Sequence, residues 1–243
     1  MKVFGLIGYP LGHSFSKDYF TKKFFREKTT DSIYKNFEMT SLDSFTKTIK
    51  EEKNLIGLNV TIPYKENIIR YLDKVDSVAN EIGSVNVIKV MDNKLIGFNS
   101  DYLGFKISLE KWLPNRKFNA LVLGSGGSSN AICFALKKLD INYKIVSTSN
   151  PSYFSYEDII NEEIYSKYKL IINTTPLGMS PNIDSFPDIQ YKFLNNKSYL
   201  YDLVYNPKQT KFLSKGRKNN SNIKNGLEML ETQAKISWDI WNK

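Results

Sequence analysis

Apolar and polar positions change period again and again along this chain, and the changes mark out alternating strands and helices. Lys2–Gly8 reads KVFGLIG, a short apolar run closed by glycine, the pattern of a buried strand. Phe20 and Phe24 then recur one helical turn apart on a polar background and predict a helix. Residues 33–38, 55–62 and 85–91 are the next strand candidates, separated by polar helical stretches at 42–52 and 64–72. Asp92-Asn93-Lys94 punctuates the run between 85–91 and 95–99, so those two strands are expected to pair as a hairpin and make the first sheet mixed. Pro63 marks a helix start, because its missing N–H costs nothing in a first turn. Lys65 then falls inside that turn, where the helix dipole disfavours a cation. The pattern offers no structural reason for a lysine there.

A second alternating unit opens near Lys117. Residues 119–123 read as a strand, 128–139 as a helix with Ser128 or Ser129 as its cap, and 144–147, 170–173 and 199–204 as further strands. From 225 onward the period is helical: Leu227, Leu230, Ala234, Trp238 and Trp241 share one face, while Glu231 and Lys235 pair on another. Strands alternating with helices imply an α/β fold with parallel sheet covered by helices, here in two lobes with the cleft between them as the expected place for chemistry.

Composition narrows the function classes. Of the 243 residues 41% are hydrophobic, enough for real cores. The single cysteine excludes an intramolecular disulfide framework and a Cys-cluster zinc site. MKVFGLIGYP lacks the long apolar core of a signal peptide, and no apolar run approaches the roughly 18 residues that span a bilayer, so a cytoplasmic protein without a membrane is expected. The net charge of +9 is scattered, with only short runs such as Lys215-Gly216-Arg217-Lys218, and no nucleic-acid motif accompanies it. A positive field of this kind attracts a phosphorylated cofactor or an acidic metabolite.

LVLGSGGSSNA (121–131) carries the clearest chemistry. A strand runs directly into Gly124-Ser125-Gly126-Gly127, and a helix follows. Gly124 serves a tight turn, Gly126 lets the backbone approach a pyrophosphate, small Ala131 allows close helix–strand packing, and the helix N-terminus receives negative charge. No Gly-Lys-Ser/Thr follows, so this is not a Walker loop. The second strand of the unit ends VSTSN. It has neither the acid that binds the ribose of NAD nor the arginine that grips the extra phosphate of NADP, but Ser147, Thr148 and Ser149 are hydroxyl donors. They favour NADP, with NAD as the alternative.

In the first lobe GHSFS, NVTIPYK, GSVNV and GFNSD each put small polar residues at the end of an apolar segment. Singly they read as caps, turn residues or a bulge, Asp101 for one as the N-cap of a helix that follows. Together they supply hydroxyls, amides, one cation and one carboxylate, an inventory suited to a small polyhydroxylated acid. His13 is the only histidine and reads as a helix-entry residue. No metal constellation is apparent.

GYPLGHSFS, NVTIPYKE, GSVNVI, GFNSDYLG, LGSGGSSNA, NTTPLGM, DLVYNP and NGLEMLETQA stand in the order found in shikimate dehydrogenases, a family that this chain resembles over nearly its whole length. The resemblance implies a substrate-binding, mixed-sheet α/β lobe (1–101 and 225–243) and a Rossmann-like dinucleotide-binding lobe (102–224), with the C-terminal helix returning to the first lobe. It implies NADPH-dependent reduction of 3-dehydroshikimate to shikimate, with Lys65 and Asp101 as the catalytic pair. Ser14 and Ser16 would take the substrate carboxylate, Asn59, Thr61, Asn86 and Gln233 its hydroxyls, and Tyr205 would close over the carboxylate side. Gly124, Ser125, Gly126 and Gly127 would carry the pyrophosphate, Ser147 and Thr148 the ribose phosphate, Asn173 and Thr174 the wall of the cofactor cleft, and Gly226 would lie near the nicotinamide. Thr148 stands where the family usually has arginine, Ser100 replaces the usual threonine, and the dinucleotide lobe is short. Partners are the small-molecule substrate and cofactor, no nucleic acid, in a monomer or homodimer. The alternatives are a quinate or aminoshikimate dehydrogenase using NAD and, in another class, a non-catalytic metabolite-binding homologue.

Overall fold

The computed structural model describes residues 1–12, 15–114 and 118–243, which form two compact units: residues 1–100 with 234–243, and residues 101–233. The first unit contains β1 (Lys2–Gly8), α1 (Phe15–Arg26), β2 (Ser32–Glu38), α2 (Phe45–Glu51), β3 (Leu55–Val60), β4 (Lys74–Val75), α3 (Ser77–Ile82), β5 (Val87–Met91) and β6 (Lys94–Phe98). Its six strands lie in the order β2-β1-β3-β5-β6-β4. The apolar run of β1 is central, parallel to both β2 and β3, whereas β5 is antiparallel to β3 and β6 returns against β5. Asp92 and Asn93 turn that hairpin with φ of 50° and 58°, the left-handed pair that matches the twist of two-residue connections. The mixed sheet is therefore as the pattern predicts.

The helix expected over 64–72 does not form. Turns lead instead into one short 3-10 segment, Asn67–Tyr71, with Ile68 as its buried residue. Lys65 sits in the turn, half-buried, and its carbonyl accepts a hydrogen bond from Val85 N at 2.8 Å. No helix end lies at Lys65, so the dipole argument against a cation there lapses.

The second unit contains α4 (Asp101–Trp112), β7 (Ala120–Leu123), α5 (Gly127–Lys138), β8 (Tyr143–Val146), α6 (Glu162–Lys167), β9 (Leu170–Asn173), β10 (Tyr199–Asp202), α7 (Lys211–Lys218) and β11 (Asn222–Lys224). All five strands are parallel, in the order β11-β10-β9-β7-β8. The central strands ALVL and LIIN are buried at every position, as sheets covered on both faces require. One face packs Ile132, Leu136, Phe105 and Leu109 of α5 and α4, and the other Tyr165, Phe212 and Leu213 of α6 and α7. Because β8 and β9 flank β7, the chain reverses direction across the sheet there, and the crevice at the carboxyl ends of these strands is where such sheets bind ligands.

A last helix, α8 (Leu227–Asn242), starts in the second unit, and its residues from Ala234 belong to the first. Within the first unit Trp241 packs 5.1 Å from Phe4 and 5.3 Å from Phe20, ring centre to ring centre, and its indole N–H donates to the Ile88 carbonyl at 3.0 Å. Burial of each such ring contributes about 1.5–3 kcal/mol. Gly57 on β3 makes the approach feasible, since a Cβ there would lie 2.2 Å from indole atoms of Trp241. Among the described residues no helix is long and apolar enough to cross a membrane.

Asp202 closes β10 as a fully buried carboxylate. It accepts from Thr210 Oγ1 at 2.5 Å, Asn173 Nδ2 at 2.9 Å and Val204 N at 3.0 Å. Burial nevertheless raises its pKa from 3.8 to about 6, outweighing these bonds, which pull the other way.

Two outcomes test this packing. Gly57→Ala should cost about 1–3 kcal/mol in urea unfolding through overpacking against Trp241; an unchanged midpoint would mean the ring moves aside freely. Because the folded chain binds the Asp202 proton more tightly than the unfolded chain, its contribution to stability is full below about pH 4 and is lost as pH rises through about 6. Relative to Asp202→Asn, the parent chain should lose on the order of 1 kcal/mol between about pH 5 and pH 8. A flat difference would show that this carboxyl titrates elsewhere.

Candidate functional site

Two sets of polar groups emerge, one in each unit. In the first, the ends of β3, β5 and β6 bring buried neutral groups together. Asn59 donates through Nδ2 to Ser237 Oγ at 3.0 Å and to the Asn86 carbonyl at 3.3 Å, and its Oδ1 accepts from the Tyr34 hydroxyl at 2.8 Å. Asn86 donates to Ser100 Oγ at 3.0 Å and accepts from Ser100 N at 2.6 Å, and the Ser100 and Ser237 hydroxyls lie 3.2 Å apart. Burial drives the Tyr34 pKa far upward while a hydrogen bond with Ser16 works against it, so Tyr34 stays a neutral donor. Ser16, Asn59 and Asn86 thus lie in one cluster, in which Asn59 also ties its neighbours together.

Tyr34 and Ser237 escaped the sequence reading. Ser237 lies one helical turn beyond Gln233 on α8, a spacing that could have flagged it; Tyr34, inside an ordinary strand, carries no such signal. Thr61 and Lys65 follow β3 and are half-buried. His13 and Ser14 lie outside the described residues.

In the second unit Asp101 is the first residue of α4, rather than its cap, and is 5% exposed; a carboxylate in that first turn is favoured by the helix dipole. Gln233 is buried on α8, and its Nε2 donates to the Leu230 carbonyl at 3.0 Å. Gly104 on α4 faces that helix, where a Cβ would meet Gln233 Cβ at 3.0 Å. Tyr205 is half-buried in the loop after β10, and Gly226 directly precedes α8.

The nucleotide-type crevice is formed at the carboxyl ends of β7, β8 and β9, where a cavity of about 560 Å³ is lined by Gly124, Ser125, Ser147, Thr148, Ser149 and the segment Thr175-Pro176-Leu177, among others. Gly124 has φ of +110°, and its N–H donates to the Val146 carbonyl at 2.8 Å, holding the loop across the two strand ends. α5 starts at Gly127 with Gly126 at its cap position and no side-chain cap, which corrects the expectation that Ser128 or Ser129 would serve. Ser129 is instead fully buried. Glycine at the cap position offers the helix N–H groups no side chain, and a Cβ on Gly126 would meet nothing within 4 Å. Nothing in the fold itself demands glycine at 126, whereas a phosphate drawn up to the backbone does.

Ser147 Oγ lies 2.9 Å from Ser125 Oγ and accepts from Ser149 N and Asn150 N at 3.3 Å each. Thr174 turns its hydroxyl to the Leu123 carbonyl at 2.7 Å. Asn173 is fully buried and so does not form the cavity wall; its Oδ1 accepts from Thr175 N and Oγ1, and its Nδ2 reaches Asp202. Its part is to position the segment that does line the cavity. That segment, with Tyr156, Phe186 and Asp188, is what the sequence reading missed.

Residues 6–88 match the family model described as the shikimate dehydrogenase substrate binding domain. A shikimate dehydrogenase (NADP(+)) of Clostridium beijerinckii is 38% identical over 253 residues, covering 100% of this chain and 93% of that one. Its counterpart in Methanococcus aeolicus is 35% identical over 256 residues, covering 99% and 91%. Among solved structures, shikimate 5-dehydrogenase from Thermus thermophilus in complex with NADP(H) and shikimate superposes with a TM-score of 0.86 at 26% identity, over 99% of this chain and 93% of that one. With such relatives along essentially its full length, the chain belongs to the shikimate dehydrogenase family.

Proposed function

We propose that this chain is an NADP-dependent shikimate dehydrogenase, reducing 3-dehydroshikimate reversibly to shikimate in aromatic amino-acid biosynthesis. The observation that carries the reading is the crevice at the ends of β7, β8 and β9, with an uncapped helix N-terminus and open space over Gly126. These residues fit a dinucleotide: backbone N–H groups at 124–127 suit the pyrophosphate, and the serine and threonine hydroxyls after β8 suit a ribose phosphate. When bound, NADPH supplies the hydride. In this reading residues 1–101 and 225–243 serve the substrate and 102–224 the cofactor, with Gly226 near the nicotinamide.

Lys65 polarises the ketone oxygen and delivers or relays the proton that makes it a hydroxyl. A cation waiting where alkoxide charge develops stabilises the transition state more than the ground state. Asp101 orients that ammonium and accepts from the neighbouring substrate hydroxyl. Ser14 and Ser16 donate to the substrate carboxylate, with Tyr205 on the same side. Asn59, Thr61, Asn86 and Gln233 take its hydroxyls, and Asn59 is held for this by Tyr34, the Asn86 carbonyl and Ser237. The same hydroxyl and amide set would suit a related cyclohexane carboxylate such as quinate, and the assay below separates the two.

Purified protein should reduce NADP in the presence of shikimate, followed by nicotinamide absorbance, and should do so more efficiently than with quinate. Lys65→Ala should lower kcat by about 10²–10⁴-fold, the range for loss of a positioned proton donor, with little change in the KM for NADP. Asp101→Asn should lower kcat and raise the KM for shikimate together. Folded protein that turns over neither substrate would sink the enzyme reading.

A further inference from the structure

The ribose end of the proposed cofactor site carries an acid and no base. Asp188 lines the cavity beside Tyr156, Phe186 and the β8 end, and among the described lining residues there is no lysine or arginine. In dinucleotide folds an acid at this end accepts from the ribose 2′-hydroxyl of NAD, whereas an arginine pairs with the 2′-phosphate of NADP. Here the end of β8 supplies only Ser147, Thr148 and Ser149, and the carboxylate comes from a different segment, just ahead of Ile189.

The charge on Asp188 is felt inside the cavity. Burial first, and the Asp188 carboxylate second, push the Tyr156 hydroxyl pKa up to about 12. Two lysines of the unit are engaged with other groups. Lys215 stands 4.4 Å over the Phe186 ring and 5.2 Å over Tyr191 without lining the cavity, and Lys211 pairs with Asp184 at 2.9 Å. Nor are the hydroxyls all available. Ser125 and Ser147 share a hydrogen bond at 2.9 Å, so one hydroxyl of that pair donates to the other rather than to a phosphate.

We infer that Asp188 is a specificity-determining residue that narrows the preference for NADP over NAD, repelling the 2′-phosphate of one and accepting from the 2′-hydroxyl of the other. The inference rests on the dehydrogenase reading above and concerns how this chain, without the arginine, divides its affinity between the two cofactors. Repulsion between partly solvated charges is modest and falls with ionic strength, so the effect should be a shift in ratio rather than a switch.

The test compares kcat/KM for NADP and for NAD, at saturating shikimate, in the parent chain, Asp188→Asn and a control, Asp184→Asn, whose carboxylate pairs with Lys211 and does not line the cavity. The parent should use both cofactors. In Asp188→Asn the NADP-to-NAD ratio should rise about three- to tenfold, mainly through cofactor KM, and the gain should shrink as salt is added. The control should leave the ratio unchanged. In parallel, calorimetric binding of adenosine 2′,5′-bisphosphate and of AMP reads the same preference without turnover. Unchanged ratios in both the kinetic and the binding arms would overturn the inference while leaving the dehydrogenase reading intact. Absence of turnover with either cofactor would instead sink that reading, and the binding arm would still decide the role of Asp188.

Discussion

One buried carboxylate sets the geometry at the ligand end of the parallel sheet. Three donors converge on Asp202: an amide from Asn173, the backbone N–H of Val204 and the hydroxyl of Thr210. An ionised carboxylate accepts at both oxygens and donates nothing, which suits a position where only donors arrive. Through Asn173 the constraint reaches Thr175 and Leu177, whose N–H and carbonyl groups are held in turn, and so shapes the cavity wall. Through Thr210, which also caps α7, it fixes the start of a helix on the opposite face. Burial disfavours the charge and raises the pKa, so this rigidity costs stability at neutral pH. Placing that cost beside a binding loop, rather than in the middle of the sheet, keeps the apolar strands free of it.

Much of this fold was legible because its strands are extreme. Lys2–Gly8, ALVL and LIIN are continuous apolar runs, and central strands of covered sheets leave that trace whatever their neighbours. The Asp92–Asn93 turn was legible for a different reason, as those residues tolerate the left-handed backbone that it needs. What failed was short and weakly patterned. The stretch after Pro63 has helical composition, but its backbone is tied to Val85 through Lys65 and to Met39 through the Tyr64 hydroxyl, contacts invisible in a local window. Helix α7 presents only Phe212, Leu213 and Gly216 inward, and its lysines and arginine dominated the reading. The half-buried triplet of β11 has no period at all.

The site divided along the same line. Glycine-loop residues could be read singly, since each has a chemical reason: positive φ at Gly124, open approach at Gly126. Buried hydroxyls could not. Ser100, Ser108 and Ser237 are all fully buried, against the expectation that serine lies at the surface, and only their partners explain them. The resemblance named several site residues that local physics left ambiguous, Asn59 and Asn173 among them, and the bonds of these two to Ser237 and Asp202 had no sequence signal.

The two units handle polarity differently, and the difference follows from what each would hold. In the first, the buried cluster is neutral throughout: Tyr34, Asn59, Asn86, Ser100 and Ser237 satisfy one another. Neutral groups with complete partners are cheap to bury, whereas an ion there would need a counter-ion and its own hydrogen bonds. The charged candidates stand at element ends, each in its own unit: Lys65 in the turn after β3 in the first, and Asp101 at the start of α4 in the second. This arrangement suits the polyhydroxylated acid proposed above, because hydroxyls are best read by fixed neutral donors and acceptors. In the second unit the proposed anion-binding element is backbone, the start of α5 without a side-chain cap, and such an element needs no side-chain charge nearby. That backbone grip is common to both nicotinamide dinucleotides. Discrimination between them is left to side chains at the ribose end, where a single carboxylate can tilt a balance that the rest of the site leaves even.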